Sequence, residues 1–248
     1  MTVQPEADGV CHILLEDPDL AECVPEERRE QVARTCTVRE LRINRGSWSA
    51  QRPDMPHEIG MLVLDGLMMR RVGVDGRFGA ELIGRGDVLS PWHDEHDVRM
   101  LPLQLAWTAL EPTRLAVLDE RFARLLGRYP DLTTRLFSRA LRRSRNLAIA
   151  VAIIHHARVD ARIQMLLWHL AGRFGRVRGD GVVVPVRLTH AQIAELVAAR
   201  RPTVTSALSN LASDGRVRSV GGAWLLSGEP PGELAEAGGN GPHIPPGN

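Results

Sequence analysis

Between Thr37 and about Leu118, apolar residues come in short runs separated by Gly-centred turns. The runs are VRELRI, IGMLVLDGLMMRRVGVDGRF, ELIGRGDVLSPW, LQLAWTAL and TRLAVL. Asp65-Gly66 and Asp75-Gly76 are turn signals between strand-like stretches. Several short strands at this spacing predict a sandwich or barrel rather than an α/β sheet. On both sides of this region the pattern is helical. Residues 12–36 read as helix, with Leu14, Leu15 and Leu20 first and then a Pro-led, acid-rich turn in PEERREQVARTC. After Asp119, DERFARLLGRYPDL is a short amphipathic piece broken at Tyr129-Pro130, and a long helix begins near Asp131. Along it Leu132, Leu136, Ala140, Leu147, Val151 and Ile154 fall at helical spacing, with a polar gap near Arg143-Ser144. Ile149 and Ile153 form a second apolar row. A helix apolar on two sides needs cover on two sides. One cover is its own β domain. A second copy of the chain is the simplest other, which makes Leu136, Ala140, Leu147, Val151 and Ile154 the expected dimer contacts. Burial within one monomer is the alternative.

Further on, VDARIQMLLWHLAGRFG predicts a helix and GVVVPVRL a short strand. Thr189 is placed to cap a helix from His190 to about Val197, with Gln192 as the partner of a capping box. AARR is a short turn, and a second helix starts near Pro202, whose missing N–H suits a first helical turn. Val204, Leu208 and Leu211 form its buried stripe. Arg201, Thr203, Thr205, Ser206, Ser209 and Asn210 fall on its open faces. ASDGRVRSVGGAWLL then reads as strand, Gly-Gly turn, strand. The unit has the order of a winged helix-turn-helix. Short polar side chains let such a helix approach a major groove about 12 Å wide, and an Arg at its start reaches a guanine or a phosphate. The expected DNA-contacting residues are Thr189, His190, Arg200, Arg201, Thr203, Thr205, Ser206, Ser209, Asn210, Arg216 and Arg218, with Arg187 as a further phosphate contact. An ordinary helical hairpin with a solvated polar face is the competing reading.

Charge favours the DNA reading. All 31 basic residues of the 248 are arginine, a compositional bias that forbids reading any one of them as chosen over lysine. Residues 1–138 hold 17 Arg against 23 acids, whereas residues 139–228 hold 14 Arg against 4 acids. A basic segment joined to an acidic one points to a polyanionic partner for the basic part. The start of the chain has no basic stretch before its apolar piece, and no apolar run is long enough to span a bilayer. A cytoplasmic protein is expected, with no membrane partner.

The motifs LTHAQIAELVAARRPTVTSALSNLASDGRV, HARVDARIQMLLWHLAG, GRGDVLS and VLDERFARLLGRYPDLTTRL resemble the cyclic-AMP receptor protein/fumarate-nitrate regulator (Crp/Fnr) family over roughly residues 10–228. The resemblance implies an α+β architecture. Its parts are an N-terminal β jelly-roll sensor domain of the cyclic-nucleotide-binding type (1–118), a linker and dimerisation helix (119–158) and a C-terminal winged helix-turn-helix (159–228). A Pro- and Gly-rich tail expected to be disordered or extended follows (229–248). The implied function is a homodimeric transcriptional regulator that binds palindromic promoter sites in duplex DNA, with RNA polymerase as a candidate partner. Arg201 matches the family's base-reading Arg. Pro202 and Ser206 stand where the family often has Glu and a second Arg, so the usual operator does not carry over. Cyclic-nucleotide binders carry Gly-Glu and then Arg-Ser for the phosphate. This chain has Pro91-Trp92, and Pro102 to Gln104, at those places. An unpaired buried phosphate is costly, so cyclic AMP is not the expected effector.

Remaining candidates are weaker. Cys11, Cys23 and Cys36 are 12 and 13 residues apart with no fourth Cys, so ordinary thiols are expected rather than a cluster or a disulfide framework. His93 and His96 flank two carboxylates in PWHDEHD, a metal or haem ligand pattern that is also an ordinary polar loop. Trp92 and Trp107 are effector-pocket candidates, although such residues are more often core. His155-His156 suits packing or capping. No nucleophile elbow, phosphate-binding Gly loop or zinc cluster is present, and neither an enzyme nor a cofactor is expected. The rival function is a ligand- or protein-binding signalling module, metal- or haem-sensing included, that has lost specific DNA reading.

Overall fold

The structure, a computed structural model, describes residues 6–49, 59–90 and 103–231. It divides into two compact units, residues 1–147 and 148–248.

The first unit begins with β1 (Glu6–His12), which pairs antiparallel with β2 (Thr37–Ile43). The helical region expected over residues 12–36 follows β1, divided into three short pieces. The helical part is α1 (Ile13–Glu16), α2 (Pro18–Ala21) and α3 (Glu26–Thr35). The breaks have local causes. Pro18 cannot continue α1, and the Asp17 carboxylate instead accepts from the Leu20 N–H at 3.2 Å to cap α2. Pro25 precedes α3.

The strands that follow are β3 (Gly46–Trp48), β4 (Gly60–Asp65), β5 (Leu67–Val74), β6 (Arg77–Gly84), β7 (Val88–Leu89), β8 (Gln104–Ala109) and β9 (Thr113–Leu118). They form a five-stranded sheet, β1-β2-β9-β4-β7, and a four-stranded sheet, β3-β8-β5-β6, all pairs antiparallel. The pleat explains the continuous apolar runs of β4 and β9. Met61, Val63, Leu115 and Val117 point into the space between the sheets and meet Trp48, Met68, Ile83 and Trp107 of the other sheet. Leu62, Leu64, Ala116 and Leu118 point to the opposite face, under Leu14, Leu20, Phe122, Leu132 and Leu136 of the helices. A sheet buried on both faces needs no polar alternation. Gly66 (φ +93) makes the tight turn between β4 and β5, where a Cβ would lie 2.4 Å from the Pro112 carbonyl. The GRGD turn is held by buried Asp87, which accepts from the Gly84 N–H at 2.9 Å.

Helix α4 (Glu120–Arg128) is capped by Asp119, whose carboxylate accepts from the N–H groups of Arg121 and Phe122 at 3.0 and 3.1 Å. Helix α5 (Pro130–Ile154) carries the chain across the unit boundary. Within the first unit two of its arginines are tied down. Buried Arg139 binds Asp17 at 2.9 Å and Asp19 at 2.8 Å. Arg143 binds Glu81 at 2.7 Å and the Val88 carbonyl at 3.3 Å. Arg143 is the polar gap of the sequence pattern.

The second unit continues with α6 (Val159–Phe174), β10 (Arg176–Arg178), β11 (Gly181–Val184), α7 (His190–Leu196), α8 (Arg201–Ser213), β12 (Val217–Val220) and β13 (Ala223–Leu226). Its sheet, β10-β11-β13-β12, has four strands. Strands β12 and β13 are the expected wing, and β11 is the separate strand expected before it. β10 was not expected, because its three residues are all exposed and leave no apolar pattern.

Candidate nucleic-acid interface

The helix-turn-helix follows from local chemistry. The Thr189 hydroxyl accepts from the Gln192 N–H at 3.2 Å, and the Gln192 side chain accepts from the Thr189 N–H at 2.8 Å, which completes the capping box. The inner face of α7 is Ile193, Ala194 and Leu196. That of α8 is Val204, Ala207, Leu208 and Leu211, all buried. Helix α8 starts one residue before Pro202, with Arg200 as its cap residue. In the turn between the helices, Ala198 adopts φ +50, a conformation that favours glycine.

This packing turns one side of α8 outward. Arg200, Arg201, Thr203, Thr205, Ser206, Ser209 and Asn210 are all exposed, as are Thr189, Arg216 and Arg218, while His190 is half-buried. The hydroxyls on that side bond back to their own helix. Thr205 donates to the Arg201 carbonyl at 3.1 Å, Ser206 to Pro202 at 3.3 Å and Ser209 to Thr205 at 3.1 Å. With the Thr205 proton directed inward, Nδ1 of His190 donates to the Thr205 oxygen at 2.9 Å and ties the start of α7 to α8. On the wing, Gly221 and Gly222 (φ +60 and +86) turn the chain between β12 and β13. The Arg187 side chain lies across Gly222, where a Cβ would come within 3.5 Å of it. Arg187 and the wing thus share one edge.

One contributor was missed in the sequence. Arg162 of α6 donates to the carbonyls of Val197 at 3.1 Å and Ala198 at 3.3 Å, and also to His156. It neutralises the carbonyl end of α7 and fixes the turn that aims α8. Only its place in the helix leading to the motif hinted at this.

Other expected sites fare differently. Leu136 is 7% exposed and packs in the core of its own unit, so it is not a partner-facing residue. Ala140 and Val151 are exposed; Leu147 and Ile154 are half-buried. The exposed large apolar side chains of α5 are Phe137 (63%), Leu141 (50%) and Val151 (54%). Nδ1 of His155 lies 2.7 Å from the Val151 carbonyl, a capping contact at the helix end. Trp107 is buried edge-on against Trp48, ring centroids 5.7 Å apart, with Arg70 over its face, and belongs to the core between the sheets. Trp92, His93 and His96 lie outside the described residues. Among the described residues, no group of three His, Cys, Asp or Glu is placed to hold a metal. Burial, with Glu40 next, pushes the Cys11 thiol up to about 11, and burial with Asp119 pushes Cys36 up to about 12, so neither offers a thiolate near neutral pH.

A winged helix-turn-helix joined through a long helix to a two-sheet β domain is the class that these units define. Residues 161–227 match the family described as the Crp-like helix-turn-helix domain. Over 93 residues the chain is 38% identical to a CRP-like cAMP-activated global transcriptional regulator of Mycobacterium tuberculosis strain H37Rv. That match covers 38% of this chain and 40% of the relative's length. A cyclic nucleotide-binding domain containing protein from Listeria monocytogenes EGD-e has a similar fold, with TM-score 0.63 and 14% identity over 84% of this chain and 96% of that one. A CRP-family transcriptional regulator from Thermus thermophilus aligns with TM-score 0.54 and 20% identity over 75% of this chain and 91% of that one. Residues 161–227 therefore carry a helix-turn-helix of the Crp-like kind.

Proposed function

We propose that the protein is a sequence-specific, DNA-binding transcriptional regulator that works as a homodimer and does not answer to cyclic AMP. The observation that carries this is the open side of α8. A helix held from behind by Val204, Ala207, Leu208 and Leu211 presents Arg201 and five short polar side chains outward, beside an arginine-bearing wing. In the bound state α8 enters the major groove. Arg201 addresses a guanine edge, and Arg187, Arg216 and Arg218 hold phosphates.

The homodimer rests on α5. Its apolar face follows Phe137, Leu141, Ser144, Ala148 and Val151, the alternating four- and three-residue spacing of a two-helix seam. This row is offset by one residue from the sequence expectation at Leu136. The lack of a cyclic AMP response rests on the sequence and the sheet interior. No Arg-Ser pair stands before β8, and Trp48, Met61, Met68, Ile83 and Trp107 fill the space between the sheets.

The test is selection of bound duplexes from a random pool at physiological salt, with Arg201→Ala alongside. Enrichment of a palindrome by the wild-type chain and its loss in the variant supports the reading. Weak binding to all sequences that Arg201→Ala leaves unchanged would favour a module that has lost specific reading, a possibility raised by Pro202 and Ser206.

A further inference from the structure

The first unit holds a cavity of about 270 Å³ that the DNA-binding reading does not use. It opens between the end of α3, the start of β2 and α4. Thr35 and Thr37 line one wall, and Arg121, Arg124 and Arg128 the other. Steps of three and four residues place the three guanidinium groups on one face of α4 within two turns. Half-buried Leu125 is the apolar side chain that the cavity exposes, the Phe122 side chain being fully buried in the core.

The charges here are not balanced by the fold. Among the described residues Arg121 and Arg128 have no acidic partner, and Arg124 only approaches Glu120 at 3.7 Å, both side chains being largely exposed. The neighbouring carboxylate of Asp119 is turned to the N–H groups that start α4. Like charges three and four residues apart destabilise a helix slightly. An anion set between them reverses that sign. Guanidinium groups suit phosphate oxygens because they offer paired donors. The cavity is small beside common ligand pockets of roughly 300–1,000 Å³. That limits the occupant to a compact molecule with one short apolar part.

We propose that this cavity binds a small phosphorylated organic anion, gripped by Arg121, Arg124 and Arg128 with its short apolar part against Leu125. The site stands independently of the DNA reading. Inorganic pyrophosphate is the probe, titrated calorimetrically into the full chain. Three variants accompany the wild type: the triple Arg121→Ala/Arg124→Ala/Arg128→Ala, the single Arg128→Glu, and Arg201→Ala. The expected result is saturable binding that weakens at least tenfold in the triple variant, weakens in Arg128→Glu and is unchanged in Arg201→Ala. Arg128→Glu is a surface change and keeps the test open if the triple variant does not fold. Three results would overturn the proposal. One is no saturable heat up to millimolar pyrophosphate. Another is loss of binding only in Arg201→Ala, which would put the anion on the DNA-reading face. The third is a poly-glutamate peptide binding the α4 face tenfold more tightly than pyrophosphate, which would make it a protein-docking surface.

Discussion

Arg162 stands on α6, yet its guanidinium ends on the carbonyls of Val197 and Ala198 that close α7. Charge-assisted bonds of this kind each contribute about 1.5–3 kcal/mol. Arg162→Met therefore lowers the stability of the second unit by about 2 kcal/mol in urea unfolding. It also weakens DNA binding without touching the reading face. Arg201→Ala has the opposite signature: unchanged unfolding, and a loss of about 1–3 kcal/mol in binding to the selected site. His169 sets a pH dependence. Burial, with Arg173 next, holds its imidazole down near 4, below the ordinary 6.5. The folded unit keeps it neutral, so its contribution is full above pH 6.5 and is lost as pH falls toward 4. The midpoint of urea unfolding is expected to fall over that window by the equivalent of about 3 kcal/mol at most, and His169→Gln flattens the drop. The exposed place of Arg201 at the start of α8 was legible from sequence because it depends on neighbours along one helix. Arg162 was not, because its partners lie 35 and 36 residues further along the chain.

At the level of elements, α7 and α8 were readable because their signals are local: a capping box, a Pro in a first turn, a stripe at helical spacing. The turn between them carries a conformational cost at Ala198 (φ +50). Ala198→Gly is expected to raise the stability of the unit by about 0.5–1 kcal/mol, read from its unfolding midpoint. Strand β1 was hidden for the converse reason. Its residues include Gly9 and are extended only because β2 pairs with them. Helix α5 shows what periodicity lacks. Spacing identifies residues that share a face but not what covers that face, and Leu136 turned out to face its own core. Two substitutions one position apart separate the roles. Leu136→Ala costs about 2–5 kcal/mol of folding stability. Phe137→Glu with Leu141→Glu is expected to leave folding intact and, if the proposed dimer forms through this face, to shift sedimentation of the wild-type dimer to monomer.

For the whole molecule, charge and fold divide the work between the two halves of the chain. Residues 139–228, with 14 Arg against 4 acids, would supply the long-range attraction to the duplex in the proposed function. Binding to the selected duplex is expected to fall steeply with salt, and Arg216→Ala with Arg218→Ala should reduce the slope of log K against log salt by about two. The acidic first half was legible as a β domain from its turns and short runs. The ties between that domain and α5 were not, since Glu81 and Arg143 are 62 residues apart. Glu81 also binds Arg70, and Arg70 lies 5.8 Å over the ring of Trp107. An indole's emission responds to the field of a charge beside it. The Arg143–Glu81–Arg70 chain therefore wires α5 to a built-in fluorophore. Any movement that draws Arg143 away from Glu81 changes the light from Trp107, so the protein reports the state of its long helix without a label.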